Sequence, residues 1–178
     1  VLKLAGERSV WDINNDLASK LSEQRKAANL PKEALLEKVR DITNIRPLQE
    51  LPKPDVQKIA SAQPFGFRVE HLVLRPEAGL AIPAMLYIPQ YAVSGRALYV
   101  AQDGMASVTA QCEKLAKENT LVLAVDLPNC GETRSAWSHG EQWESLFGPS
   151  YKSVMLAYQL DRPIVTLWAE NLLVLARY

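Results

Sequence analysis

Residues able to carry chemistry are few in this chain and thinly spread. There are two histidines, His71 and His139, and two cysteines, Cys112 and Cys130. A serine nucleophile needs a sharp strand-to-helix turn that pushes its hydroxyl into the open, with glycine on either side. The nearest approach is Gly148-Pro149-Ser150-Tyr151-Lys152. It lacks the second glycine and follows "EQWESL", which is no strand, so Ser150 reads as a helix N-cap. His139 stands in an irregular stretch where substrates would reach an open α/β sheet; it is a substrate or acid/base contact, or an idle loop histidine. His71 alternates with Val69 and Val73 and reads as a strand residue. Trp137, Trp143 and Trp168 either line a pocket or fill the core, and residue type does not choose between the two. Asp126 closes an apolar run, where a carboxylate can hold the following loop by accepting N–H bonds. The cysteines lack the His-rich company that zinc requires, and read as free buried thiols or one disulfide. No metal and no cofactor is expected. The turn "QDGMAS" has one glycine where a dinucleotide-binding turn needs three.

The bulk composition sets limits on what such residues can serve. Lys plus Arg and Asp plus Glu number 20 each, so no basic stripe is left to neutralise a phosphate backbone, and nucleic acid is not an expected partner. The 178 residues, 48% of them hydrophobic, suit one domain with an extension. Apolar runs are of strand length and none approaches a membrane span. The chain opens on Val1 without a charged and then apolar leader, which leaves a signal peptide removed upstream as an open reading.

The elements that must position these residues fall into two regions. In residues 1–58, apolar side chains recur at helical spacing. Val10, Ile13, Leu17 and Leu21 make one stripe on an otherwise polar helix that needs a surface to dock on, and Leu35, Leu36, Val39 and Ile42 mark a second helix opening at Pro31. Pro47, Pro52 and Pro54 forbid a continuing helix and place a linker at about 46–58. From residue 59 to 178 the pattern is that of a sheet. "FRVEHLVLRP" and "LAIPAMLYIP" alternate with period two around Gly79 and predict a hairpin. "ALYVA" and "TLVLAV" are nearly continuous apolar runs, as parallel strands covered on both faces require. Between them "SVTAQCEKLAKEN" puts Val108, Cys112, Leu115 and Ala116 on one helical face, with Asn119 as a left-handed stop. A helical pattern returns from about Tyr151, restarts at Pro163 and runs to the last residue.

Three stretches, in this order, carry a resemblance. "VLRPEAGLAIPAMLYIPQ", "ALYVAQDGMAS" and "VLAVDLPNCGETR" resemble the opening hairpin, the third strand with its oxyanion loop, and the fourth strand with its Asp-x-x-Gly-x-Gly-type loop of an α/β-hydrolase. The bacterial acetyl xylan esterase-like and dienelactone-hydrolase-like group is the most similar. The resemblance covers about residues 65–178. Gln102, Asp103 and Gly104 stand where that group often has a His-Gly pair, and Asn129 and Cys130 stand where a first glycine is common. It implies an α/β fold made of an N-terminal helical segment followed by the first half of an α/β-hydrolase sheet. It implies backbone N–H donors to an oxyanion from Gly104 or Met105 and a structural loop around Asp126 and Gly131; His139 and Trp137 are the candidate substrate contacts by their place in the loop that follows. None of the Ser, acid and His triad falls on these positions, because the nucleophile elbow comes on the strand after the helix that ends this sequence.

The expected function is therefore part of a serine carboxylic-ester hydrolase acting on a small ester or an acylated carbohydrate, the remainder of the domain coming from a continuing or associated chain. The other reading is a non-catalytic binding or scaffold module. In either case "ALYVA" should border a further strand; left bare it is a pairing hazard, so the chain alone should be inactive and oligomeric or poorly soluble. The resemblance points to a bacterial protein and leaves its compartment open, secretion or the periplasm being one reading.

Overall fold

The computed structural model describes residues 6–134 and 151–178. The chain divides into two compact units, the first ending at Ile42 and the second running Thr43–Tyr178.

The first unit holds α1 (Val10–Ala28) and most of α2 (Lys32–Thr43). Ser9 caps α1: its Oγ accepts the Asp12 N–H at 3.2 Å while the Asp12 carboxylate accepts the Ser9 N–H at 2.8 Å. Two of the four orphan donors of the first turn are satisfied this way. These hydrogen bonds from Ser9, side chain first and then backbone, hold the Asp12 carboxyl below its ordinary range. Asn29 stops the helix in a left-handed conformation, φ 38°. The Pro31 carbonyl then accepts the first bond of α2, from the Leu35 N–H at 2.9 Å. Neither helix buries a residue.

The second unit is built on a five-stranded sheet among the described residues. The strands are β1 (Asp55–Ala62), β2 (Phe67–Arg75), β3 (Ile82–Pro89), β4 (Gly95–Val100) and β5 (Thr120–Val125), in the order β1-β2-β3-β5-β4. All neighbours are antiparallel except β4 and β5, which run parallel with Gly95 opposite Thr120 and Val100 opposite Val125. The predicted hairpin is β2–β3, in register from Phe67 opposite Pro89 to Leu74 opposite Ile82. β1 is an addition. Its polar sequence carries no apolar period, so part of the expected linker is in fact strand from Asp55 onward.

Period two sends the strand side chains to two cores. One face gathers Leu72, Leu74, Ile82, Ala84, Leu123 and Val125 under α5 (Ile164–Leu175), which contributes Leu175. The other gathers Phe67, Val69, Tyr87, Val122 and Ala124 under α3 (Thr109–Lys117), which contributes Cys112 and Ala116. β5 thus supplies alternate residues to both cores, which is why its sequence is apolar throughout. The helix α4 (Tyr151–Gln159) precedes α5.

Residues 43–51 form a strap along α5. Glu170 of α5, 3% exposed, accepts from the Arg46 backbone N–H at 2.8 Å and from its guanidinium at 2.7–3.2 Å, and it also pairs with Arg162. Burial pushes the Glu170 carboxyl up, but the hydrogen bonds from Arg46 and the charges of Arg162 and Arg46 outweigh it and leave the group below its ordinary value. The Arg46 guanidinium, held by Glu170 and Glu77, is raised. Arg177 closes the strap by donating to the carbonyls of Leu48 (3.2 Å) and Leu51 (3.0 Å).

Candidate functional site

The sheet's two parallel strands end side by side, and the turns leaving them are joined through one buried carboxylate. β5 delivers Asp126, 1% exposed, with its own N–H donated to Pro83 O at 3.1 Å. Its Oδ1 accepts the Met105 N–H at 2.6 Å, from the turn that follows β4, and its Oδ2 accepts the Glu132 N–H at 2.8 Å, from the loop that follows β5. A buried carboxylate that accepts one N–H on each oxygen ties the two turns together firmly. The sequence places this role at Asp126 by its position at the end of an apolar run, and the geometry supplies its partners.

Two glycines let the turns close on that carboxylate. Gly104 has φ 91°, and a Cβ there would lie 2.5 Å from the Gly131 Cα. Gly131 has φ 50°, and its Cβ would lie 2.2 Å from Asp126 Oδ2. A side chain at Gly104 would have to displace the backbone at Gly131, and one at Gly131 would have to displace the Asp126 carboxylate, each at a positive φ. The loop after β5 is braced further by Thr133, whose Oγ1 accepts the Cys130 N–H at 3.1 Å and lies 2.6 Å from Leu127 O. From α5, Trp168 Nε1 donates to Pro128 O at 2.9 Å. Trp168 therefore anchors a loop and packs against the core beneath α5.

The amides of the turn after β4 divide into spent and unspent. The Gly104 N–H donates to Ala101 O at 3.1 Å, and the Met105 N–H goes to Asp126. Those are the two donors expected to face an oxyanion, and both are engaged within the protein. Gln102 and Asp103, exposed at the tip of the turn, make no hydrogen bond through their N–H groups among the described residues. The signal that separates the pairs is three-dimensional: it is the reach of Asp126, 21 positions away in sequence from Met105.

Other candidates are placed as follows. Cys112 and Cys130 are free, buried thiols on different cores, and burial pushes both up in pKa, the Asp126 charge adding to the effect at Cys130. A thiol so raised is a poor nucleophile at neutral pH. His71 is half-buried on β2, opposite Met85. Trp137, His139, Trp143 and Ser150 lie outside the described residues. Among the described residues, no group of three His, Cys, Asp or Glu side chains is placed to hold a metal ion, and no helix is long and apolar enough to cross a membrane.

Comparison with known proteins gives the architecture a precedent. No family model and no curated protein matches the chain. Among solved structures, a putative acetyl xylan esterase from Bacteroides fragilis superposes with a TM-score of 0.59 at 17% identity, covering 81% of this chain and 41% of its own. Acetyl xylan esterase 1 from a Thermoanaerobacterium species is 16% identical, with a TM-score of 0.42 over 63% of this chain and 39% of its own. The second likeness is too low to carry an argument. The first establishes an incomplete α/β-hydrolase architecture, and the chain spans less than half the length of that protein.

Proposed function

We propose that this chain supplies the oxyanion-loop half of a serine carboxylic-ester hydrolase, and that the Ser, acid and His of the triad lie on polypeptide outside these 178 residues. The substrate class is a small ester or an acylated carbohydrate. The observation that carries the reading is the Asp126 clamp at the carboxyl ends of β4 and β5, the end of an open α/β sheet where ligands bind.

An oxyanion donor must be fixed before the charge develops, because any reorganisation during the reaction subtracts from the stabilisation. Asp126 provides such fixing by pinning Met105, one residue beyond the glycine that turns the chain. With Gly104 and Met105 engaged, the reading assigns the donor to the same turn but to the N–H groups of Gln102 and Asp103. Removing a donor of this kind typically lowers the rate by roughly a hundred- to a thousandfold. In this reading the strand bearing the nucleophile pairs with the open side of β4, and His139 and Trp137 contact the substrate.

The test is fluorophosphonate labelling of material in which the chain occurs natively, followed by mapping of the labelled peptide. A label on a serine outside these residues, in a continuing or co-purifying polypeptide, supports the proposal. A label on Ser150 overturns the placement of the nucleophile. No label on any associated polypeptide overturns the esterase reading in favour of a binding module.

A further inference from the structure

We infer that a polar cleft of the second unit, between residues 46–55 and the turn joining β2 to β3, binds the neutral, hydroxyl-rich part of an oligosaccharide. The cleft is about 640 Å³, and its charged lining is Arg46, Glu50, Lys53, Asp55, Arg75 and Glu77. Three of these are cations and three are carboxylates, and the signs alternate at close range. Arg46 pairs with Glu77, Arg75 stands 3.8 Å from Asp55, and Glu50 and Lys53 are three positions apart.

That alternation selects the ligand. A phosphate or a free carboxylate would meet an acid beside each cation, and an ammonium would meet a cation beside each acid. A sugar hydroxyl both donates and accepts, so it can bond to both members of such a pair. The lining has capacity to spare. The side chains of Glu50 and Lys53 are engaged by no described residue. Arg75 gives Nη2 to Gln57 Oε1 at 3.0 Å, while its Nη1 is too far from Asp55 for a hydrogen bond. One wall is fixed before a ligand arrives, because the buried Glu170 holds the Arg46 guanidinium through three contacts of 2.7–3.2 Å. The rings of Pro52 and Pro76 add an apolar surface of the kind that the C–H face of a sugar covers.

The cleft also opens at the right end of the sheet. β2 is antiparallel to β3 and β3 to β5, so β2 runs parallel to β5 and its last residue, Arg75, stands at the same end as Asp126. Two strand spacings, about 10 Å, separate β2 from β5. An oligosaccharide spans that distance between the cleft and an acyl group at the Asp126 clamp, whereas a single sugar ring does not. Only this last step rests on the ester-hydrolase reading.

Saturation-transfer NMR of cellotriose, xylotriose and mannotriose with the full 178-residue chain tests the inference, with citrate and triglycine as charged and zwitterionic comparators. At least one trisaccharide should bind, with a Kd that added salt leaves unchanged. Glu50→Gln and Asp55→Asn each remove a charged acceptor and should each weaken that binding by about tenfold, with far-UV circular dichroism unchanged. Lys114→Met, on α3, should have no effect. Binding of none of the three sugars overturns the inference, and so does sugar binding that both cleft variants leave intact. Tighter binding of citrate or triglycine, or sugar binding that salt abolishes, overturns the ligand class. The chain needs no triad for this test: absence of a fluorophosphonate label would leave sugar binding in place, and absence of sugar binding would leave the label.

Discussion

β1 and β4 bound the same sheet, and they treat their open sides in opposite ways. β1 presents Gln57, Lys58, Ser61 and an exposed Ile59, its register to β2 shifts between Lys58 and Ala60, and Lys58 pairs with Glu70 at 2.7 Å. A bulge and a lysine are how a sheet is brought to an end, because each spoils the template that a further strand would need. β4 has an unbroken parallel ladder to β5, its Ala97, Leu98 and Tyr99 are half-buried, and a cleft of about 480 Å³ runs beside it between Leu86, Leu98, Leu121, Leu123 and Leu175. The contrast teaches that the two edges of one sheet can differ in how readily they would pair, with a bulge and a lysine on one and a regular apolar ladder on the other.

Four perturbations break or sharpen that contrast, and they run from large to small. Gly131→Ala forces a Cβ against the Asp126 carboxylate at a positive φ, and should cost about 3 kcal/mol or more in urea unfolding. Amide exchange should then rise first along β4 and β5, with the β1–β2 side retaining its protection. Arg46→Ala strikes the strap that leads into β1. It should cost about 2–3 kcal/mol, less than the roughly 3–5 kcal/mol of a buried charge left wholly unpaired, because Arg162 still holds Glu170. The same variant changes the acid response. Because the folded state lowers the Glu170 pKa, its contribution is present above the unfolded-state value and is lost as pH falls through the folded-state one. Unfolding titrations below about pH 4.5 should thus show a shallower loss in Arg46→Ala than in the unmodified chain.

The third perturbation exchanges the chemistry of the two edges. Leu98→Lys should slow aggregation of the isolated chain by about tenfold in light scattering, while Lys58→Leu should hasten it. Equal effects from the two would erase the distinction between the edges. The smallest effect is thermodynamic: Lys58→Ala removes an ion pair whose lysine is half exposed, and should cost less than about 1 kcal/mol in thermal unfolding. A larger loss would mean that the β1 edge depends on that pair for its structure and not only for its solubility.

The β2–β3 hairpin and the β4-α3-β5 unit were legible because burial on one or two faces imposes a period that no other structure shares. β1 was not legible, since a strand whose side chains face water has no apolar period and Pro52 and Pro54 beside it speak for a linker. At the site, Asp126 was readable from its position at the end of an apolar run, whereas Gly131 was named only through the resemblance. The engagement of Gly104 and Met105 was not, because it depends on a hydrogen bond between residues that only the parallel pairing of β4 and β5 brings together. The strap is similar: nothing local tells Arg46 that its partner is Glu170.

Two kinds of determination are thus separable in this chain. The sequence by itself determined which segments are helix and which are buried strand, and that a carboxylate and a glycine, Asp126 and Gly104, stand where tight turns need them. These are consequences of periodicity, capping and allowed φ, all of which act over a few residues. Only the tertiary structure decided which amides of the turn after β4 remain open, where Glu170 finds its cations and which edge of the sheet is closed. Each of these depends on groups far apart in the chain meeting within hydrogen-bonding distance.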